Sequence, residues 1–409
     1  MPDSRPQPSG GATDDTAALV LSGARLADGR TVDVRLGGGR IEAVGTAGCL
    51  GARGAGGAVI DLSGYLLLPA PAEPHAHGDT ALSAEGPPAE CSVRDVRRRA
   101  TEAALTQLGH GATALRSHVR VGGAHGLTRI EAVLQARRSL RGLCEITTVA
   151  VPGPLTGVAG ADGLAVLRDA LKMGADAVGG RPDLDPDPAG YVEAVLGLAA
   201  EHGLPVDLHT DAADPARLTR IAAMAGGLRP GVSMGPCAGL ARLPRQAAER
   251  VAGALAAAGV SVVCLPQGGC GEAGVRGPAP VEPLRAAGVR LAAGGGALRD
   301  AWNPVGRGDP LEAAYLLAAQ GGLPPAAAYE AVSAAARAAM GLPEVRIEAG
   351  FPAELLAVRG DGLAGVLSQA YSRIVVHRGR VVARTSAVRE YCDSDGGAGA
   401  ALPRQGRPG

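Results

Sequence analysis

Residues 65–80 read YLLLPAPAEPHAHGDT. The apolar run that ends at Pro69 predicts a short buried β-strand, and His75 and His77 follow it with one residue between them. Side chains two residues apart in an extended segment point to the same side. The stretch therefore predicts two imidazoles that can bind one metal ion at the mouth of a barrel.

The pattern downstream of this stretch is that of an α/β protein. Short apolar segments alternate with stretches of helical periodicity, many of which end at glycine. Eight such segments on this pattern predict a TIM-like (β/α)8 barrel, whose site lies at the carboxyl ends of the strands. A doubly wound sheet is the competing fold, but no GxGxxG follows the first segment. The predicted barrel strands are 65–70, 112–119, 144–151, 175–179, 206–209, 232–235, 260–265 and 290–293.

Both ends of the chain show a β-like pattern. Near the N-terminus Val32, Val34 and Leu36 alternate with polar residues, and SRIVVHRGRVVA near the C-terminus reads as strand, turn and strand. Pairing of these segments predicts a small β-sandwich domain built from both chain ends. The predicted division is a disordered 1–16, a β domain of 17–68 plus 345–388, a barrel of 69–344 and a disordered tail of 389–409.

The composition excludes several classes of function. The formal net charge is zero and no basic run is interleaved with aromatic residues, so no nucleic-acid partner is expected. No apolar stretch reaches the ~18 residues of a membrane span, and the first residues lack the apolar core of a signal peptide. These features predict a cytoplasmic protein without a membrane partner. The seven cysteines are scattered without CxxC spacing, which argues against a disulfide framework.

A third histidine ends the fifth predicted strand. His209, in the segment PVDLHTD, completes a set with His75 and His77 from two strand ends. Three imidazoles are a suitable ligand set for one divalent metal ion, zinc or iron. His118, in RSHVRV at the end of the second predicted strand, is a candidate for the substrate pocket.

Several segments together resemble the amidohydrolase superfamily, and within it the cytosine deaminase branch, over about residues 20–385. They are LLLPAPAEPHAHGD, GATALRSHVRV, VGGRPD, PVDLHTD and RDAWNPVGRGDPLEAA. The resemblance implies one divalent metal at the barrel mouth and hydrolysis of a C–N bond, other than a peptide bond, in a small cyclic nitrogenous molecule. The last segment is the most branch-specific and gives Asp300 and Trp302 as further pocket candidates.

The chain departs from the pattern that the resemblance implies at four positions. The family has a glutamate three residues after the strand-5 histidine, a histidine after strand 6 and an aspartate after strand 8. Here these positions are Ala212, Pro236 and Gly296. The family's ring-holding glutamine in the strand-3 loop corresponds to Gly153. None of these four side chains can bind metal or transfer a proton.

These departures lead to three hypotheses. The first is an amidohydrolase-like protein with a degenerate active site, which binds a ligand or partner without catalysis. The alternative is an active, re-equipped metal hydrolase that uses the three histidines and Asp211 as a substitute base. Asp79, Asp214 and Asp300 lie nearby as well, although Asp214 precedes a proline and also fits a helix cap. A third reading makes Cys237 a nucleophile.

Barrels of this kind commonly form homo-oligomers, but no segment identifies an interface.

Overall fold

The computed structural model describes residues 18–50, 57–85, 91–211, 214–268, 281–369 and 371–387. The strands in these ranges are β1 Leu19–Arg25, β2 Thr31–Gly37, β3 Arg40–Thr46, β4 Ala58–Asp61, β5 Tyr65–Pro69, β6 Ala72–Ala76, β7 Ala114–Val121, β8 Glu145–Pro152, β9 Ala177–Gly180, β10 Val206–Thr210, β11 Val232–Pro236, β12 Ser261–Cys264, β13 Arg290–Ala293, β14 Leu355–Arg359, β15 Arg373–His377 and β16 Arg380–Thr385. The α-helices are α1 Val93–Gly109, α2 Thr128–Ser139, α3 Gly160–Lys172, α4 Pro188–His202, α5 Pro215–Ala225, α6 Arg245–Ala257, α7 Val281–Ala286, α8 Pro310–Ala319, α9 Pro325–Val332, α10 Ala334–Ala339 and α11 Leu363–Gln369.

The central sheet is a parallel barrel. Its eight strands run in chain order from β6 to β13, and a helix follows each of them. Two contacts join the ends of the sheet: a parallel bridge between Ala76 and Gly296, and a hydrogen bond of 2.7 Å from the Gly295 amide to Glu73 Oε2. The predicted (β/α)8 barrel is thereby confirmed.

The prediction of the first barrel strand was wrong. Residues 65–69 form β5, which pairs antiparallel with β14 in the other sheet, and the first barrel strand is β6. Leu66 and Leu68 pack into the barrel's outer core, whereas Leu67 packs into the core of the small domain. The run is apolar on both faces because it lies between two cores, and this made it resemble a barrel strand.

The second sheet combines both ends of the described chain, as expected. Its strand order is β16-β15-β14-β5-β1-β2-β3, with β4 paired to β1. One face carries the domain's own core, which includes Leu21, Val34 and Leu355, while Leu356 and Val375 face the barrel. The predicted terminal segments 1–16 and 389–409 lie outside the described residues.

A buried ion pair links the second sheet to the barrel. The Arg373 guanidinium contacts both carboxylate oxygens of Asp309, at 2.8 and 2.6 Å, and also donates to the His110 carbonyl at 2.6 Å. Tyr329 adds a hydrogen bond of 2.7 Å from its hydroxyl to the Pro69 carbonyl. Paired guanidinium and carboxylate groups of this geometry fix the orientation of the elements that carry them.

Three of the helices begin at an Asp-Pro dipeptide. Asp187, Asp214 and Asp309 each accept hydrogen bonds from the first turn, and the following proline occupies the first helical position. Asp214 therefore caps α5, with Oδ1 2.9 Å from the Ala216 amide. No helix in the described ranges combines the length and the apolar composition needed to cross a membrane.

Candidate metal centre

Three histidines come together inside the carboxyl end of the barrel. His75 lies in β6, His77 follows that strand directly, and His209 lies in β10. One ring nitrogen of each lies within 4.8 Å of those of the other two. The ring centroids of His75 are 5.1 Å from those of both His77 and His209. The structure thus brings together the three predicted metal ligands.

The environment favours the neutral form of these imidazoles. Burial, followed by the neighbouring imidazole of His118, lowers the pKa of His77 to about 3. Burial also lowers the pKa of His75 and of His209 well below the usual value. Neutral imidazole is the form that binds metals. The His209 Nε2 atom is buried and has no hydrogen-bond partner among the described residues, so the set fits a divalent ion.

A charged network supports this cluster from within the barrel. The His118 ring stacks on the His75 ring with centroids 3.9 Å apart, and His118 Nε2 lies 3.2 Å from Asp207 Oδ1. Arg116 Nη1 lies 2.9 Å from the other Asp207 oxygen. Burial tends to raise the pKa of Asp207, but His118 and Arg116 lower it to about 2. Asp207 is therefore an ionised carboxylate at neutral pH.

Arg116, Asp207 and Glu73 were not predicted as site residues, although the sequence contains a signal for each. Each precedes a predicted site histidine by two residues, in the segments RSH, DLH and EPH. Alternate residues of a barrel strand point to the interior, so each should share the side of its histidine. Glu73 is buried and accepts hydrogen bonds from the amides of His75 and Gly295; burial raises its pKa to about 7 despite these contacts.

A small chamber opens beside the histidines. We define it by its lining residues, which are His77, Thr80, His118, Arg120, Val151, Arg181, His209 and Trp302. The predicted pocket residues His118 and Trp302 are among them. In the part of the chain that the structure describes, the lining contains no carboxylate.

Asp300, the third predicted pocket residue, lies behind the chamber wall. Its buried carboxylate accepts hydrogen bonds from the Thr80 hydroxyl at 2.7 Å and from the amides of Trp302 and Asn303 at 2.9 and 3.2 Å. These contacts occupy the carboxylate. Asp300 therefore positions Thr80 and Trp302 rather than facing a ligand.

The candidate base Asp211 is separate from the cluster. Among the described residues it is not grouped with the three histidines as a potential metal ligand, and it does not line the chamber. Its amide donates to Asp183 Oδ2 at 3.1 Å, while burial, followed by the charge of Asp183, raises its pKa. Ala212, at the position of the family glutamate, lies outside the described residues.

The other substituted positions offer no side-chain ligand. Pro236 ends β11, and Gly296 has a φ of 69°, in the left-handed region that favours glycine. Cys237 is fully buried, and burial, followed by the neighbouring Cys264, raises the pKa of its thiol well above 9. A thiol with so high a pKa is a poor nucleophile, so the third reading of the sequence gains no support.

Asp79, two residues after His77, is the centre of an ion-pair cluster. Its Oδ2 atom lies 3.0 Å from Arg129 Nη1 and 3.5 Å from Arg120 Nε. Arg99 donates to the carbonyl of Ala81, in the same loop, at 2.7 Å. These contacts give Asp79 a structural part in holding the loop that follows the HxH motif.

Comparisons with known proteins agree with this geometry. Residues 91–383 match the Amidohydrolase family. A pterin deaminase from Rhizobium rhizogenes is 27% identical over 318 residues, which cover 73% of this chain and 72% of that protein. The structure of N-isopropylammelide isopropylaminohydrolase from Burkholderia multivorans has a TM-score of 0.80 at 28% identity. The match covers 91% of this chain and 100% of the aminohydrolase chain. The structure of 5-methylcytosine deaminase from Klebsiella pneumoniae has a TM-score of 0.78 at 22% identity. The match covers 91% of this chain and 99% of the deaminase chain.

Proposed function

The chain belongs to the amidohydrolase family, and from this premise we propose that it binds one divalent metal ion and a small cyclic nitrogenous molecule without hydrolysing that molecule efficiently. The observation that carries the proposal is the chamber lining, which combines imidazoles with arginines and, within the described residues, has no carboxylate. A related pterin deaminase and a structurally similar 5-methylcytosine deaminase support a nitrogen heterocycle as the ligand.

The metal part of the proposal rests on His75, His77 and His209. Three neutral imidazoles, those of His75 and His209 buried and that of His77 partly buried, form a ligand set for zinc or iron. A divalent ion held there supplies Lewis-acid chemistry. His118 packs on His75, and its Nε2 atom lies 3.2 Å from Asp207, so these two residues support the ring of His75 from within the barrel.

The proposed loss of hydrolysis rests on the groups that would move protons. Positions 212, 236 and 296 carry alanine, proline and glycine, where the family pattern has Glu, His and Asp. A positioned general acid or base contributes roughly 10²- to 10⁴-fold to a rate. Asp207 is a weak base because its pKa is about 2, and Asp211 does not line the chamber. The described part of the site thus lacks an evident carboxylate base.

An active, re-equipped hydrolase is the second candidate, and one contact favours it. His118 lines the chamber, and its Nε2 atom lies 3.2 Å from the Asp207 carboxylate. A carboxylate that orients an imidazole is a common arrangement for a general base. In this reading His118, rather than Asp211, takes the proton from the attacking water.

Metal content together with ring binding tests the proposal. Plasma mass spectrometry of the purified, reconstituted chain should find about one zinc or iron per chain, and none in His209→Asn. His202→Asn, at the exposed end of α4, is the matched control and should keep the ion. Calorimetry should detect pyrimidine, triazine or pterin binding to the metal-loaded protein. No stoichiometric ion in the wild type would contradict the proposal.

A further inference from the structure

Two arginines stand on either side of one barrel strand at the chamber rim. Arg120 lies near the end of β7 and Arg181 directly follows β9, while β8 lies between these strands in the sheet. Both arginines line the chamber, and both also line a neighbouring cavity of about 350 Å³. Val151 of β8 is the third residue common to the two linings. The two cavities therefore adjoin at these three residues, and we call the larger one the extension.

Gly153 leaves open space in the extension because it has no side chain. Gly153 follows β8 and lines the extension, and a β-carbon built there would meet no described atom within 4 Å. The family resemblance places a ring-holding glutamine at this position. A cavity of roughly 150 Å³ accommodates benzene, so the extension has room for a substituent beyond the ring. The missing side chain thus leaves space at the point where the two arginines flank the strand.

Among the described residues, the lining of the extension contains two arginines and one carboxylate, that of Asp185, so its formal net charge is positive. Asp185 lines it, but the amides of Leu155 and Asp187 donate to its carboxylate at 2.8 and 2.9 Å, and the Thr156 hydroxyl donates as well. Asp79 is buried and has its shorter ion pair with Arg129, at 3.0 Å.

The two arginines differ in how they are held. Arg120 reaches Asp79 only at 3.5 Å through Nε, and 43% of its side chain is exposed. The Arg181 amide donates to the Tyr191 hydroxyl at 3.1 Å, and this hydroxyl donates to the Pro152 carbonyl at 3.3 Å. The backbone of Arg181 is therefore tied to the end of β8, whereas the side chain of Arg120 is partly exposed.

We propose that Arg120 and Arg181 form a subsite for the carboxylate of a carboxylated nitrogen heterocycle that lies across the chamber and the extension. The planar guanidinium fork matches a carboxylate and binds it through paired, charge-assisted hydrogen bonds. Removal of the glutamine side chain at position 153 provides the space for the substituent. The inference rests on the proposed function, because it assumes that the chamber binds a ring.

Paired ligands that differ only in the carboxylate test the subsite. Calorimetry on the metal-loaded full chain compares orotate with uracil, and pterin-6-carboxylate with pterin. We expect each carboxylate to bind at least about tenfold more tightly than its neutral partner. Arg181→Gln and Arg120→Gln should each reduce this preference about tenfold, and Arg181→Lys should retain part of it. Gly153→Leu should reduce it by filling the space without a change of charge.

The control is Arg245→Gln, on the exposed side of α6, which should keep the preference. Thermal melting of every variant shows whether it is folded. Equal affinity for the paired ligands in the wild type, or a preference that survives both glutamine variants, overturns the subsite. If neutral rings bind without any gain from the carboxylate, the subsite alone fails. If neither neutral nor charged rings bind, the proposed function fails with it.

Discussion

Replacement of Arg116 by methionine tests whether Asp207 is held as a buried ion. Arg116 Nη1 donates to Asp207 Oδ2 at 2.9 Å, to the Ser233 hydroxyl at 3.2 Å and to the Ala339 carbonyl at 3.2 Å. The side chains of Arg116 and Asp207 are 3% and 0% exposed. Removal of one partner from such a pair leaves an uncompensated charge and costs about 3–5 kcal/mol. Methionine retains much of the apolar stem, so the cost reports mainly on the charge.

Urea denaturation measures this cost, with Arg217→Met as the matched control. Arg217 pairs with Asp183 at 2.9 Å, but these side chains are 36% and 29% exposed, so its loss should cost less than about 1 kcal/mol. Adding Asp207→Asn to Arg116→Met should recover part of the lost stability, because it removes the stranded charge. If Arg116→Met costs no more than the control, with an unchanged m-value, the buried ion pair is refuted.

Three further predictions concern the strand-8 position Gly296, the ion pair of Asp309 with Arg373, and Trp302 in the chamber. Gly296→Asp should destabilise the protein by about 1–3 kcal/mol, because the residue has a φ of 69° and its β-carbon would lie 3.2 Å from its nearest neighbour. Gly203→Asp, with a φ of 64° and open space, should cost less in the same urea titration; equal costs would contradict the steric reason. Asp309→Asn should destabilise the protein at pH 7, and this effect should begin to fade as the pH falls below about 4. Burial tends to raise the pKa of Asp309 but Arg373 lowers it below 3.8, so the stabilisation is present above that pH and fades on acidification. Urea titrations from pH 7 to 3 measure this, and a constant difference from the wild type would argue against it. Trp302 is the only tryptophan and lines the chamber, so saturation with a ring ligand should change its fluorescence emission; unchanged emission would exclude the ligand from this chamber.

Much of the fold could be predicted from local sequence. Seven of the eight barrel segments had the right position because each combines a short apolar run with a glycine-terminated helix on either side. The first strand was misplaced because residues 65–69 are buried between two cores, and burial on two faces produces the same pattern in a barrel strand and in an interlayer strand. Only the pairing of β5 with β14, almost 300 residues away, distinguishes them.

The residues of the candidate site also differ in whether the local sequence could predict them. The three histidines could be predicted because each lies at a strand end and two of them share an i, i+2 motif. Arg116 and Asp207 follow the same alternation, but their pairing depends on a barrel interior that brings β7 and β10 together. The relation of Arg120 and Arg181 to Gly153 depends on strand order, which no local pattern contains.

Release of ammonia or amine from ring substrates is the most direct test of a metal centre without a hydrolytic base. The metal-loaded chain and its His75→Ala variant should be incubated with pyrimidines, triazines, pterins and their carboxylates. Because the described chamber lining has no carboxylate to move the proton, the two proteins should release product at the same background rate. Metal-dependent turnover by the wild type that disappears in His75→Ala would contradict the proposed loss of hydrolysis.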